Sequence, residues 1–206
     1  MNQLLIPTAV LLGATSTLLT RAALRRASIT LRRPWPELTT AALSAVPAWR
    51  AATHHLPTWW LPVPLVLTWF AVPLVAADLA RRRLPDLLTI PAYPALGTAL
   101  TVAAVTGPGP TLLVRAALGV IVFGGAHLLI RSLSPPSMGG GDVKLAGSLG
   151  GVLGALGWAA LALTVTLAAT VTAALALVTR TRHAPHGPGL LAATWLLATF
   201  SAPFTG

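Results

Sequence analysis

The sequence predicts an all-α, polytopic membrane helix bundle of about eight transmembrane segments. Three observations carry that prediction. Apolar residues fill 55 % of the 206 positions and charged ones only 9 %, with a mean hydropathy of +0.77, whereas a soluble domain has about 25 % charged residues. The apolar residues form continuous runs near the roughly 20 residues that a spanning helix needs, not the alternation of a β-barrel. The net charge of +10 is gathered between those runs, as in cytoplasmic loops. That placement argues for a lipid partner and against a nucleic-acid one. The chain has no cysteine, which excludes disulfides, thiol catalysis and cysteine-based zinc sites.

Taken in order, the first apolar run covers about residues 3–20 and is followed by five arginines at 21, 25, 26, 32 and 33. That is the reverse of a secretory signal peptide, so it reads as a retained span with its N-terminus outside. A weaker second span covers 38–53 and is interrupted by Pro47 and Arg50. His54 and His55 fall in an outer, solvated turn. The third span, 58–79, opens on Trp59 and Trp60, which suit the outer membrane interface. It ends inside, at Asp78 and Arg81 to Arg83. Pro85 and Asp86 open the fourth span, 87–106, with Asp86 as a helix cap or a charge at the helix's positive end. Pro91 and Pro94 are expected to kink that helix.

Gly-Pro-Gly-Pro at 107–110 is an outer turn, and the fifth span covers 111–130. Between 143 and 179 the chain is apolar or small apart from Lys144, too long for one crossing, and both its flanks look cytoplasmic, with Arg180 and Arg182 at the far end. Two crossings with a turn near Gly154–Gly157 satisfy both facts. The first is short, and Gly147, Gly150, Gly151 and Gly154 allow close helix packing in lipid. After a loop with Arg180, Arg182, His183 and His186 comes a last span at 189–204. The whole chain, 1–206, reads as one domain with both ends outside.

Only four residues are acidic: Glu37, Asp78, Asp86 and Asp142. Asp78 ends the third span and Asp142 starts the sixth, at the same depth on the same face. Carboxylates at such a boundary are costly to desolvate and tend to mark function. Two of them together share a proton, so that one takes a proton from water while the other donates a hydrogen bond to a carbonyl. Gly139, Gly140 and Gly141 precede Asp142. An unwound glycine stretch there would admit a substrate backbone, offer N–H donors to an oxyanion and present an edge to an extended peptide. His127, His183 and His186 have no place in this chemistry, and neither a metal nor a cofactor is expected.

GGGDVKLAGSLG at 139–150 resembles the G-x-G-D-x-K-L motif of the type IV prepilin peptidases, which are membrane aspartic proteases. ADLARRRLPDLLT at 77–89 resembles that family's first motif, an Asp followed eight residues later by the Asp of a Leu-Pro-Asp turn. HGPGLLA at 186–192 is faintly similar to a third family segment, Phe-Gly-Pro-Phe-Leu-Ala. The resemblance covers about 58–200 and implies an aspartic endopeptidase with Asp78 and Asp142 catalytic. It gives Asp86 and Pro85 a structural part and lets Lys144 hold Asp142 or bind substrate, with cytoplasmic anchoring as the equal alternative for Lys144. It also implies a bacterial cytoplasmic-membrane setting, an active site facing the cytoplasm, and a prepilin or pseudopilin precursor as client. That client has a basic leader and a Gly before a long apolar helix.

The bifunctional members carry Cys-x-x-Cys pairs between their first two spans, where this chain has only residues 21–37. N-methylation is therefore not expected of it. Three other readings account for part of the pattern: a related peptidase with other membrane-helix clients, a proton-coupled transporter, and a bundle whose aspartates only cap helices.

Overall fold

The structure, a computed structural model, describes residues 4–26, 35–81, 84–135, 138–179, 186–201 and 203. The remaining parts of the basic loops, with Arg32, Arg33, Arg82, Arg83, Arg180, Arg182 and His183, lie outside the described residues. So does the end of the expected last span beyond 203.

Apolar chain in lipid has to satisfy its backbone internally, and helices do so within one segment. The described residues form eight: α1 Leu5–Arg26, α2 Trp35–Ala52, α3 Pro62–Arg81, α4 Asp86–Thr106, α5 Pro110–Leu133, α6 Gly140–Leu156, α7 Trp158–Thr179 and α8 Gly187–Phe200. Helix α5 contains a π-helical stretch at Val120–Gly124. No strand occurs among the described residues. By length and composition α1, α3, α4, α5 and α7 can cross a membrane, which makes this a multi-pass membrane bundle. The other three are shorter, with 18, 17 and 14 residues.

Helix α6 explains how a short segment serves in such a bundle. It has 17 residues, and every one from Leu145 to Leu156 is buried. It packs against α4, α5, α7 and α8, so its length is matched to protein neighbours and not to lipid. The glycine face does what its spacing predicts. A methyl on Gly150 or Gly154 would fall on the backbone oxygens of Gly119 and Arg115, so these glycines set the α5–α6 separation. The expected turn is at Gly157, whose φ of 133° lies where only glycine is comfortable.

The other half of the bundle is built on α3, which packs against α1, α2, α4 and α8. Trp60 lies just before α3, fully buried, and its indole N–H donates to the Ala198 carbonyl at 2.8 Å. The interface role expected for Trp60 is thereby corrected: an indole with a buried carbonyl to satisfy it packs inside the protein. Helix α2 runs through Pro47 without a break. Arg50 is anchored by the His55 carbonyl and by the Phe200 ring, 4.7 Å away. Helices α3 and α6 pack little against each other directly. Helices α4 and α8 touch both and join the two halves.

One substitution pair tests the glycine packing. Gly154→Ala is expected to destabilise by about 1–3 kcal/mol through overpacking. Gly97→Ala, where an added methyl meets nothing within 4 Å, is expected to be neutral or to stabilise by up to about 1 kcal/mol. Thermal unfolding in detergent reads both.

Candidate active site at one end of the bundle

The ends of α3, α4, α6 and α8 that meet on one side of the bundle carry nearly all its unusual chemistry. Asp78 lies in the last turn of α3 and is buried, only 4 % exposed. Asp142 is the third residue of α6, after Gly139 as N-cap. From that position a carboxylate can reach back to the N-cap amide, which is half of a capping box. The Gly139 N–H does donate to Asp142, and Oδ2 is the oxygen on that side.

The other oxygen of Asp142 turns toward Asp78. A methyl built on Gly187, the first residue of α8, would lie 2.9 Å from Asp78 Oδ2 and 3.5 Å from Asp142 Oδ1. The two carboxylate oxygens are therefore no more than 6.4 Å apart, the sum of those distances. Both face the bare Cα of Gly187. Leu84 completes the arrangement: its Cδ1 lies 3.3 Å from the same point on Gly187, and its Cβ lies 2.8 Å from where a Gly141 methyl would be. The turn before α4 thus rests on glycines of both α6 and α8.

The glycine run therefore works differently from the expected unwound stretch. Gly139 alone is extended, while Gly140 and Gly141 already belong to the first turn of α6. Gly141 makes room for Leu84, and Gly140 faces the Arg131 guanidinium, which donates to the Met138 carbonyl at 2.8 Å. First-turn N–H groups of a helix have no intrahelical acceptor, so the donors expected from this segment come with the helix start.

Asp86 stands in the first turn of α4, as expected of a charge at the helix's positive end, but not as a cap, and Lys144 has a different partner from the one expected. Pro85 is the N-cap of α4, and Asp86 makes no capping bond. Instead Lys144 Nζ donates to both oxygens of Asp86 at 2.8 Å. Lys144 therefore holds Asp86, not Asp142. The pair is about half exposed on each side, so it adds about 0–1 kcal/mol while tying α4 to α6. Tyr93 Oη, donating to the Lys144 carbonyl at 2.6 Å, makes a second tie.

Two histidines given no role by the sequence reading belong here. His186 and His127 both lie within electrostatic reach of Asp142 and of each other. His127 is buried, and its Nδ1 lies 2.8 Å from the Phe123 carbonyl. A carbonyl only accepts, so Nδ1 holds a proton. Burial lowers the His186 pKa, the Asp142 carboxylate opposes that shift, and His127 reinforces it. Among the described residues no three His, Cys, Asp or Glu side chains are grouped to hold a metal.

Comparison with known proteins gives a consistent picture. The sequence profile of the type IV leader peptidase family matches residues 65–177. The chain is 32 % identical over 179 residues to a prepilin leader peptidase/N-methyltransferase of Aeromonas salmonicida. It is 33 % identical over 191 residues to one of Aeromonas hydrophila and 32 % over 179 to one of Pseudomonas aeruginosa. Each match covers 83 % of this chain and 59 % of the relative, so the chain spans about three fifths of those proteins. No solved structure gives a significant match.

A histidine whose folded pKa is lowered favours folding above its unfolded pKa and loses that contribution as pH falls. Acidification below the ordinary imidazole range is therefore expected to lower the melting temperature of the wild type more than that of His186→Gln. Thermal scans across pH, in one detergent, measure the difference.

Proposed function

This chain belongs to the type IV leader peptidase family, and on that premise we propose that it is an aspartic endopeptidase acting on prepilin-like precursors. The observation that carries this reading is the convergence of Asp78 and Asp142 on Gly187. The precursor is a type IV pilin or pseudopilin with a basic leader and a Gly before its apolar helix, cleaved at the leader junction. The enzyme sits in the bacterial inner membrane with this end toward the cytoplasm, which the basic residues Arg81, Arg131 and Lys144 beside the site support.

The two carboxylates have different surroundings and take different parts. Asp142 stands in the first turn of α6, where the helix dipole and the Gly139 N–H favour negative charge. Asp78 stands in the last turn of α3, where the dipole opposes it. The shared proton therefore rests on Asp78. Asp142 takes a proton from a water held between the two groups, and the water oxygen bonds to the scissile carbonyl carbon. Asp78 gives its hydrogen bond to the carbonyl oxygen as negative charge develops there. Collapse of the tetrahedral intermediate breaks the C–N bond, and the proton gained by Asp142 passes to the leaving amine. No metal or cofactor takes part.

Gly187 is a positioning residue in this scheme. Its missing side chain leaves both carboxylates room to face one space. Methyl transfer, the second activity in the relatives' name, is not proposed for this chain, which has no cysteine.

Co-expression with a prepilin from the same genome, scored by the gel shift of leader removal, tests the reading. Asp78→Asn and Asp142→Asn are each expected to lower cleavage by at least about a hundredfold at unchanged membrane level. Gly187→Ala, by displacing Asp78, is expected to lower it by roughly the hundredfold that a shift of about 1 Å costs. Full cleavage by either Asn variant would contradict the assignment.

A further inference from the structure

A groove with a cavity of about 330 Å³ is lined by α2, α3 and α8. Its three walls are helical stripes: Trp35, Thr39 and Leu43 on α2; Thr68, Ala71, Val72 and Val75 on α3; and Leu191, Ala192 and Trp195 on α8. The α2 stripe runs from Trp35 to Leu43, about 12 Å of helix. The floor consists of small or compact side chains, Ala71 and Val72 being buried, while Trp35 and Leu196 stand half-exposed at the rim. Trp195 Nε1 donates to Thr68 Oγ1 at 2.8 Å, and Thr68 Oγ1 donates to the Pro64 carbonyl at 2.6 Å, so the polar groups on the α3 and α8 walls are satisfied within the protein and the groove they line is largely apolar.

The groove leads to the carboxylates. On α3 one further turn from Val75 reaches Asp78. On α8 one turn back from Leu191 reaches Gly187. Two walls thus end, about 5 Å on, at the space that Asp78 and Asp142 face. We infer that this groove receives the first turns of the precursor's apolar helix and thereby places the peptide bond before that helix at the carboxylates. The inference rests on the peptidase reading and adds the surface that recognises the helix.

The continuity favours a protein helix over lipid. A helix lying against α3 and α8 packs closely on small residues, which is how helices associate in a bilayer. A bulky apolar side chain on its inner face fills the cavity. The peptide that leads into it has to be extended to be cleaved, and the groove ends where that extended stretch begins. An acyl chain gains nothing from ending there.

The chain has no cysteine, so an introduced thiol is unique. Thr39→Cys, in the groove, is compared with Leu177→Cys, 78 % exposed on α7, both with Asp78→Asn so that captured precursor is not consumed. The probe is a tagged precursor with a basic leader, a Gly and an apolar helix of about 20 residues, carrying single cysteines along its first three turns. Copper-phenanthroline oxidation is expected to crosslink Thr39→Cys at precursor positions three or four apart, and Leu177→Cys at none.

With Asp78 intact, Ala192→Trp is expected to lower precursor cleavage by at least about tenfold, and Leu177→Trp to leave it unchanged. Equal crosslinking from both sites, with wild-type cleavage by Ala192→Trp, would overturn the inference and leave the groove to lipid. Crosslinks confined to Thr39→Cys, with no cleavage even by the wild type, would uphold the groove and contradict the peptidase reading.

Discussion

The close approach of the first residue of α8 to the end of α3 and the start of α6 is the constraint on which this architecture depends. Asp78 and Asp142 are carried by helices that scarcely touch, and α4 and α8 bring them together. Gly187 offers both carboxylates a bare Cα, and Leu84 wedges between Gly187 and Gly141. Each contact requires a missing side chain. A methyl at 187 would stand 2.9 Å from an Asp78 oxygen and one at 141 would stand 2.8 Å from Leu84, closer than carbon atoms settle in a packed interior.

The membrane shapes the rest. Helix α6 carries Asp142, and a helix facing lipid on several sides could not hold a carboxylate at its start without neighbours to cover it. Its burial from Leu145 onward sets the helix among protein neighbours, with Asp142 half-buried at its start, and the glycine face that permits the burial brings α5 and its His127 close as well. The same end of the bundle is bound by polar ties: Lys144 to Asp86, Tyr93 to the Lys144 carbonyl and Arg131 to the Met138 carbonyl. They link α4, α5 and α6 around the site, while the groove between α2, α3 and α8 is largely apolar.

Much of this was legible in the sequence because a membrane chain spends charge sparingly. The helices follow from runs of apolar residues, the turn at Gly157 from a stretch too long for one crossing, and the candidate pair from the scarcity of aspartate at two helix ends. What was not legible is tertiary. Asp86 looked like a cap because it follows Pro85, yet its partner, Lys144, lies 58 residues away, a pairing that only the α4–α6 packing reveals. Trp60 looked like an interface anchor because it starts an apolar run, but the carbonyl it needs belongs to Ala198. Gly187 had a faint signal in the HGPGLLA segment, and nothing in that segment alone indicates two carboxylates on the other side of it. His186 and His127 went unassigned because their common neighbour, Asp142, is distant from both in sequence.

The central claim is that Asp78 and Asp142 face each other in the folded protein, and the absence of cysteine permits a direct measurement. Asp78→Cys and Asp142→Cys are made singly and together in membranes, then treated with dibromobimane, which fluoresces strongly when it bridges two thiols. The account predicts fluorescence from the double variant, on a band that migrates as one chain, and none from either single variant. A double variant as dark as the singles would mean that the two positions do not meet.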